Sequence, residues 1–409
     1  MKKYNTVIIG GGAAGMAAAL AAFYKDKTLK TAIIEKNKTL GKKILATGNG
    51  KCNLSNENVS WENYYPYKNN FYFDILKKNE DYIKKLFDKL GILFYTDESG
   101  RIYPSSCSAK TVNEAFIREI KKTNTDVFCE TEIFEIEKYG EKWKIFSKTG
   151  DEFLADKVIF AVGGFAAPEF GTNGVSWKIL QNMGIETDYA EAALCPLYTS
   201  ENIKSLKGLR VRAKIRVYEY NLKQICERLI YMEDNSEVQF GEDYISGVGV
   251  MNATAFIKND DISSISLDIA FQHKTDLNEY FRKIIENRPQ DAIETIYDGI
   301  CDRRLGKYIL TEYLGIKDIS KPIESLDDVE EIINGVENVT FSELKKGTWK
   351  QSQTTMGGVK SEEVAENLEL KKAKGIYVCG EVCNINGMCG GYNLAWAWVS
   401  GIVCGLSLN

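Results

Sequence analysis

The hydrophobic pattern changes period several times along the chain, and each change marks an element. Thr6 to Tyr24 carries no charged residue. Within it, the β-branched run Val7-Ile8-Ile9 gives way to Gly10-Gly11-Gly12 and then to an alanine-rich stretch. That order predicts a strand, a tight turn and a buried helix. A membrane span would not open with a strand and three glycines, so no membrane partner is expected. Thr31 to Ile34 is a second apolar run and ends in Glu35. Lys157 to Gly164 again reads as a strand running into a glycine pair. Gly375 to Gly405 repeats the grammar: strand, Gly380-Glu381, a glycine-rich loop to Gly391, and an apolar helix from about Asn393.

The middle of the chain reads differently. Leu209 to Val217 alternates apolar and basic residues with period two, as a half-buried antiparallel strand does. Ile262 to Ile269 is similar. From Asp276 the period becomes helical, through Leu277, Phe281, Ile284 and Ile285, then Ile296, Ile300, Leu305, Ile309 and Leu314, with Pro289 between the two helices. A short acidic helix follows over 326–333.

The opening segment carries the first chemistry. Gly10, Gly12 and Gly15 form G-x-G-x-x-G between strand and helix, and Glu35 stands at the end of the next strand. Gly10 permits the tight turn, Gly12 lets a pyrophosphate approach the backbone, and Gly15 lets helix and strand pack closely. The helix N-terminus, at Ala13 and Ala14, supplies N–H groups and a partial positive charge to phosphates. Glu35 is placed to accept hydrogen bonds from both ribose hydroxyls. Leu40 to Asn53 (LGKKILATGNGKCN) then replaces the helix and strand with which a simple NAD domain would continue. A basic, glycine-rich loop there suits a longer ligand, FAD, whose phosphates and ribitol run onward.

Five segments, GGGAAGMAAA (10–19), EKNKTLGKKILATGNGKCNLSN (35–56), GRIYPSS (100–106), GGV (357–359) and GEVCNINGMCGGYNLAWAW (380–398), give the chain a resemblance to the BaiN-like/aminoacetone-oxidase-like family of FAD-dependent oxidoreductases. The resemblance implies an α/β fold. It would hold a discontinuous Rossmann-like, glutathione-reductase-type FAD-binding domain (1–188 and 350–409), an inserted β-barrel-like domain (189–270 and 336–349) and a small helical cap (271–335). It implies non-covalent FAD bound by Gly10, Gly12, Ala13, Ala14, Gly15, Glu35 and Lys36, and by Lys43, Thr47, Gly48, Asn49, Gly50, Lys51, Cys52 and Asn53. Further contacts would come from Val162, Gly163, Gly164, Gly380 and Glu381, and from Gly390, Gly391, Tyr392, Asn393 and Leu394 at the last helix. Ile133 would lend its backbone to the adenine. The chain departs from the family pattern at Gly241-Glu242, where a threonine-histidine pair is usual, and at Asn384 and Cys389, where aspartate and threonine are usual.

Composition narrows the function. With 52 basic against 57 acidic residues the net charge is −5, which argues against a nucleic-acid partner. A single histidine, His273, excludes multi-histidine metal sites and histidine relays. The ten cysteines are too sparse for a disulfide scaffold, and their spacing matches no zinc or iron–sulfur pattern, so no metal and a cytoplasmic location are expected. Redox chemistry therefore belongs to the flavin. Proton donors are sought among Tyr103, Tyr392, Lys43, Cys52 and water, and Arg101 and Tyr103 are expected on the substrate side. Cys52 reads first as a small buried thiol filling space beside glycine-rich backbone; the sharper alternative is a reactive thiol at the flavin whose pKa a nearby helix N-terminus would lower. The absence of a second dinucleotide fingerprint leaves NAD(P)H as a transient donor, or another reductant. Three classes follow: an FAD-dependent oxidoreductase of a small or medium organic molecule, a flavin enzyme modifying RNA, and a non-catalytic flavin sensor.

Overall fold

The computed structural model describes residues 1–66, 71–172, 174–221, 226–258, 262–273, 275–326 and 328–408. Two compact units emerge, one made of residues 1–192 with 352–409 and one of residues 193–351.

The first unit is built on strand β1 (Lys2–Ile9), helix α1 (Ala13–Lys25) and strand β2 (Thr31–Ile34). β1 lies parallel between β2 and the strand Glu152–Phe160, and β2 is flanked in turn by Thr125–Phe128. Such strands are covered on both faces, which is why Val7–Ile9 and all of β2 read as continuous apolar runs. Glu152–Phe160 is long enough to serve two partners on its far side. Glu152–Ala155 pairs antiparallel with Lys142–Ser147, while Val158–Phe160 pairs parallel with Ile376–Val378. The chain thus returns to the same sheet more than two hundred residues after leaving it. Among the described residues no helix is long and apolar enough to cross a membrane.

Helix α1 is buried over nearly its whole circumference and lies parallel to the last helix, Tyr392–Ser407. A Cβ on Gly401 would stand 2.2 Å from the Ala14 carbonyl oxygen, and one on Gly405 2.4 Å from that of Ala18. The two backbones therefore touch, with glycine and alanine the residues that fit. At the far end Lys25 Nζ donates to the carbonyls of Leu406 and Leu408, both at 2.7 Å, and satisfies the end of the last helix. Trp396 and Trp398 are core residues: Trp398 stacks on Phe116 with centroids 5.0 Å apart, and Trp396 meets Tyr72 edge-on.

The second unit holds a seven-stranded antiparallel sheet. Its order is Val339–Phe341, Ile262–Asp268, Arg210–Asn221, Cys226–Phe240, Tyr244–Ser246, Leu197–Tyr198 and Lys345–Lys346. The two edge strands are joined by residues 342–344 alone, so the sheet rolls until its edges approach, as in a barrel. Ala213, Ile215 and Val217 face its core. The basic stripe that alternates with them is neutralised locally. Arg210 meets Glu237, Lys214 meets Asp234, Arg216 meets Asp268, and Arg212 donates to Asn235. Helices Leu277–Asn287, Arg303–Tyr308 and Val329–Glu337 complete the unit.

Replacing Gly401 by valine forces the two parallel helices apart. The change should cost about 1–3 kcal/mol, read as a lower unfolding midpoint in urea. An unchanged midpoint would show that the backbone contact is not a constraint.

Candidate functional site

The turn after β1 uses its three glycines for different reasons. Gly10 has φ +103°, and a Cβ there would lie 2.3 Å from the Ala161 carbonyl oxygen. A Cβ on Gly15 would lie 1.9 Å from the carbonyl oxygen of Gly10. Packing within the chain demands both. Gly12 has an ordinary φ of −79°, and a Cβ on it would meet nothing within 4 Å. The chain itself has no need of glycine at that position. Gly12 is also the N-cap of α1, no side chain caps that helix, and no acidic residue lies in its first turn. The arrangement is an open anion cradle in front of free N–H groups, including those of Ala13 and Ala14.

Glu35 is nearly buried and its carboxylate is largely engaged by the chain. Oε2 accepts from the Gly11 N–H at 2.8 Å, while Oε1 accepts from the Asn37 N–H at 2.8 Å and from its side-chain amide at 2.7 Å. Oε1 is filled and Oε2 keeps one acceptor position, which leaves less acceptor capacity than hydrogen bonds from two ribose hydroxyls would use. Backbone bonds from Glu35 to Phe128 and Thr131 place the start of the Ile133–Tyr139 strand beside it. Burial holds Lys36 below the ordinary lysine pKa, against the pull of Glu132 and Glu35.

Three segments far apart in sequence are fastened together further along. Lys43 Nζ lies 2.8 Å from Glu381 Oε2, and Glu381 Oε1 accepts from the Thr355 N–H at 2.9 Å. Thr355 Oγ1 in turn accepts from the N–H groups of Phe165 and Ala166. A Cβ on Gly164 would stand 2.3 Å from that hydroxyl, and Gly163 accepts a hydrogen bond from Trp177. Lys43, the Val162-Gly163-Gly164 turn and the Gly380-Glu381 turn thus form one network. Thr355, its centre, was missed from sequence; its one signal is its place just ahead of Gly357-Gly358.

The loop after Lys43 is exposed through Gly48, Asn49, Gly50 and Lys51, then dives inward at Cys52 and Asn53. Thr47 Oγ1 closes the loop on Ile44, while Gly48, Asn49, Gly50 and Cys52 all have positive φ. Cys52 is completely buried, and burial pushes its thiol up to about 11 despite a hydrogen bond with Thr47. The direction is therefore opposite to a lowered pKa: burial outweighs the Thr47 hydrogen bond, and the thiol stays protonated at neutral pH.

The start of the last helix meets this loop. Gly391, its N-cap at φ +99°, would carry a Cβ 2.6 Å from Asn53 Oδ1 and 2.3 Å from the Ser55 carbonyl oxygen. Asn56 Nδ2 donates to Gly390, and Tyr64 Oη donates to the Tyr392 carbonyl. Asn393 spends both side-chain polar atoms on Gly387, so it shapes the loop rather than facing outward. Leu394 is half-buried. Burial raises the pKa of Tyr392. No side chain caps this helix. Because Ala14 lies against Gly401, the helix runs about eight residues, some 12 Å, beyond the start of α1 in the same direction.

Arg101–Pro104 pairs with Ser55–Asn56 and with Phe94–Thr96. This brings the Tyr103 ring within 3.5 Å of a Cβ position on Gly48, with Tyr95 tilted against it. Arg101 is not delivered to the same place. Its guanidinium sits 3.1 Å from Asp97, out of line for a hydrogen bond, and donates to Ser99 within its own turn.

The sheet order and the two uncapped helix N-termini put the protein in the Rossmann-type FAD-binding class of oxidoreductases. A model of the HI0933-like protein Rossmann domain matches residues 4–407, and the chain belongs to that family. The 3-dehydro-bile acid delta(4,6)-reductase of Clostridium scindens is 28% identical over 97% of both chains. A ribosomal RNA dihydrouridine synthase of Haemophilus influenzae is 24% identical over the full length of both. Among solved structures, E. coli quinol fumarate reductase FrdA superposes with a TM-score of 0.51 at 14% identity, covering all of this chain and 70% of that one, and so shares the fold.

Two outcomes follow. Gly12→Ala should lower the unfolding midpoint only slightly, through the N-cap preference for glycine, yet weaken dinucleotide binding about tenfold or more, whereas Gly15→Ala should lower the midpoint strongly; equal effects would remove the cradle reading. Cys52 ionises at about 11 when folded and near the ordinary value of 9.0 when unfolded. Its contribution to stability is thus complete below pH 9 and declines as pH rises toward 11. Cys52→Ala should flatten the loss of stability over that window in denaturation measured against pH.

Proposed function

We propose that the protein is a flavin-dependent reductase that holds FAD non-covalently. It would reduce a small or medium organic molecule at a carbon–carbon double bond conjugated to a carbonyl. The observation that carries this reading is Gly12, a glycine that chain packing does not require, at the mouth of an uncapped buried helix. The names of the two curated relatives support the bond type. By their names, a 3-dehydro delta(4,6)-reductase and a dihydrouridine synthase both reduce carbon–carbon double bonds.

The residues divide the work as follows. The turn Gly10–Gly15 and Glu35 would hold the pyrophosphate and adenosine ribose, with Lys36 and Ile133 nearby. The Lys43–Glu381–Thr355 network would fix the ribityl region, flanked by the 47–53 loop and the Val162–Gly164 turn. When bound, the flavin supplies the hydride. The N-terminus of the last helix, at Gly390 to Leu394, favours negative charge at the neighbouring ring. Tyr103, whose ring lies beside Gly48, would give a proton to the carbon next to the carbonyl. Arg101 is assigned to its turn, and Cys52 to packing. NAD(P)H would act as a visiting donor.

A second reading, reduction of uridine in ribosomal RNA, is favoured by two of the relatives, which share the name ribosomal RNA dihydrouridine synthase. On the Arg210–Asn221 strand, Arg210, Lys214 and Arg216 are paired with carboxylates, which lessens the positive charge that strand presents to phosphates. Purified protein should keep yellow flavin through desalting and release it intact on denaturation. Anaerobic NADH or NADPH should bleach it, and α,β-unsaturated ketones should restore the colour. Reoxidation by uridine-containing ribosomal RNA fragments and by no ketone would select the second reading. A well-folded protein that never retains flavin would remove both.

A further inference from the structure

We infer that Asn37 is a positioning residue for the adenosine half of the cofactor: it fixes the Glu35 carboxylate so that Oε2 is presented to the ribose. The inference rests on the flavin reading above. The last torsion of a glutamate side chain is broad, so its carboxylate plane turns unless donors hold both oxygens. Here the Gly11 N–H holds Oε2 at 2.8 Å. Asn37 holds Oε1 twice, through its backbone N–H at 2.8 Å and its side-chain Nδ2 at 2.7 Å. Bonds to a charged acceptor are the strong ones, and together these three set the plane. The acceptor position left on Oε2 therefore has one direction.

Asn37 is held in turn by two further segments. Its carbonyl accepts from the Glu130 N–H at 3.0 Å, ahead of the strand Ile133–Tyr139. Its Nδ2 also donates to the Phe170 carbonyl at 3.1 Å. Gly171 follows at φ +97°, where a Cβ would lie 2.4 Å from Asn37 Nδ2. Lys42 Nζ donates to the Glu169 carbonyl at 2.6 Å, so residues 169–171 are strapped along 37–42. The amide nitrogen thus faces two acceptors, a carboxylate and a carbonyl. Turning the amide over would set its oxygen against both, so its orientation is fixed. A side chain of the same shape without N–H donors cannot take its place.

The test measures the affinity of apoprotein for FAD and for FMN by the change in flavin fluorescence, with the unfolding midpoint in urea as the control for folding. Asn37→Ala removes both side-chain bonds and should weaken FAD binding about tenfold. FMN carries the same ring without adenosine, so its affinity should not change. Asn37→Asp keeps the size but replaces the donor with a third acceptor, so it should bind FAD more weakly than the alanine variant; a space-filling role predicts the reverse order. In a Glu35→Ala background, adding Asn37→Ala should cost about twofold or less, because the carboxylate it positions is gone. Equal losses for FAD and FMN would overturn the assignment. So would a tenfold loss that persists without Glu35, or an Asn37→Asp protein that binds FAD like wild type. Folded wild-type protein that binds neither flavin overturns the flavin reading itself, and this inference with it.

Discussion

The candidate site depends on two parallel helices in backbone contact. Where Gly401 meets Ala14 and Gly405 meets Ala18, no side chain larger than a methyl group fits between α1 and the last helix. The contact sets both spacing and register. With Ala14 opposite Gly401, the N-terminus of α1 opens at the glycine turn, while that of the last helix opens about 12 Å further on. Two patches of uncapped N–H groups thus point in the same direction, one ahead of the other. One suits a pyrophosphate, and the other a ring that accumulates negative charge.

Around that pair, the unit commits its polar groups economically. Glu35 holds the loop from Gly11 to Asn37, Asn393 holds Gly387, and Glu381 ties Lys43 to Thr355. Each of these side chains shapes backbone as much as it offers itself to a ligand. Glu35 Oε2 is the atom among them that keeps an acceptor position. A site in which most acceptors are already filled discriminates through the few that are not.

The second unit follows different rules. Its sheet is antiparallel, so one face packs inward and the other carries charge, and the period-two pattern of Leu209 to Val217 follows directly. What that pattern does not reveal is the neighbour of each charge. Glu237, Asp234 and Asp268 come from the strands on either side and neutralise the stripe. Pairing register, which is set by packing, decided that.

The strand–turn–helix of the first residues and the buried parallel runs are legible in the sequence, because each is a local pattern whose period reports burial; the contact of Gly401 and Gly405 with α1 is not. The family is legible too, through glycine-rich segments of fixed spacing. Tertiary structure decided which polar atoms remain available. Glu35 loses most of its acceptor capacity to Gly11 and Asn37, and Arg101 turns to Asp97. Cys52 is pushed up rather than down, because burial removes its hydration and outweighs its hydrogen bond with Thr47. Thr355 becomes the centre of a network that no spacing announces. Periodicity follows from the chain's own geometry and is carried in neighbouring residues. Hydrogen-bond partners and desolvation are properties of atoms brought together from opposite ends of the chain, so only the folded structure assigns them.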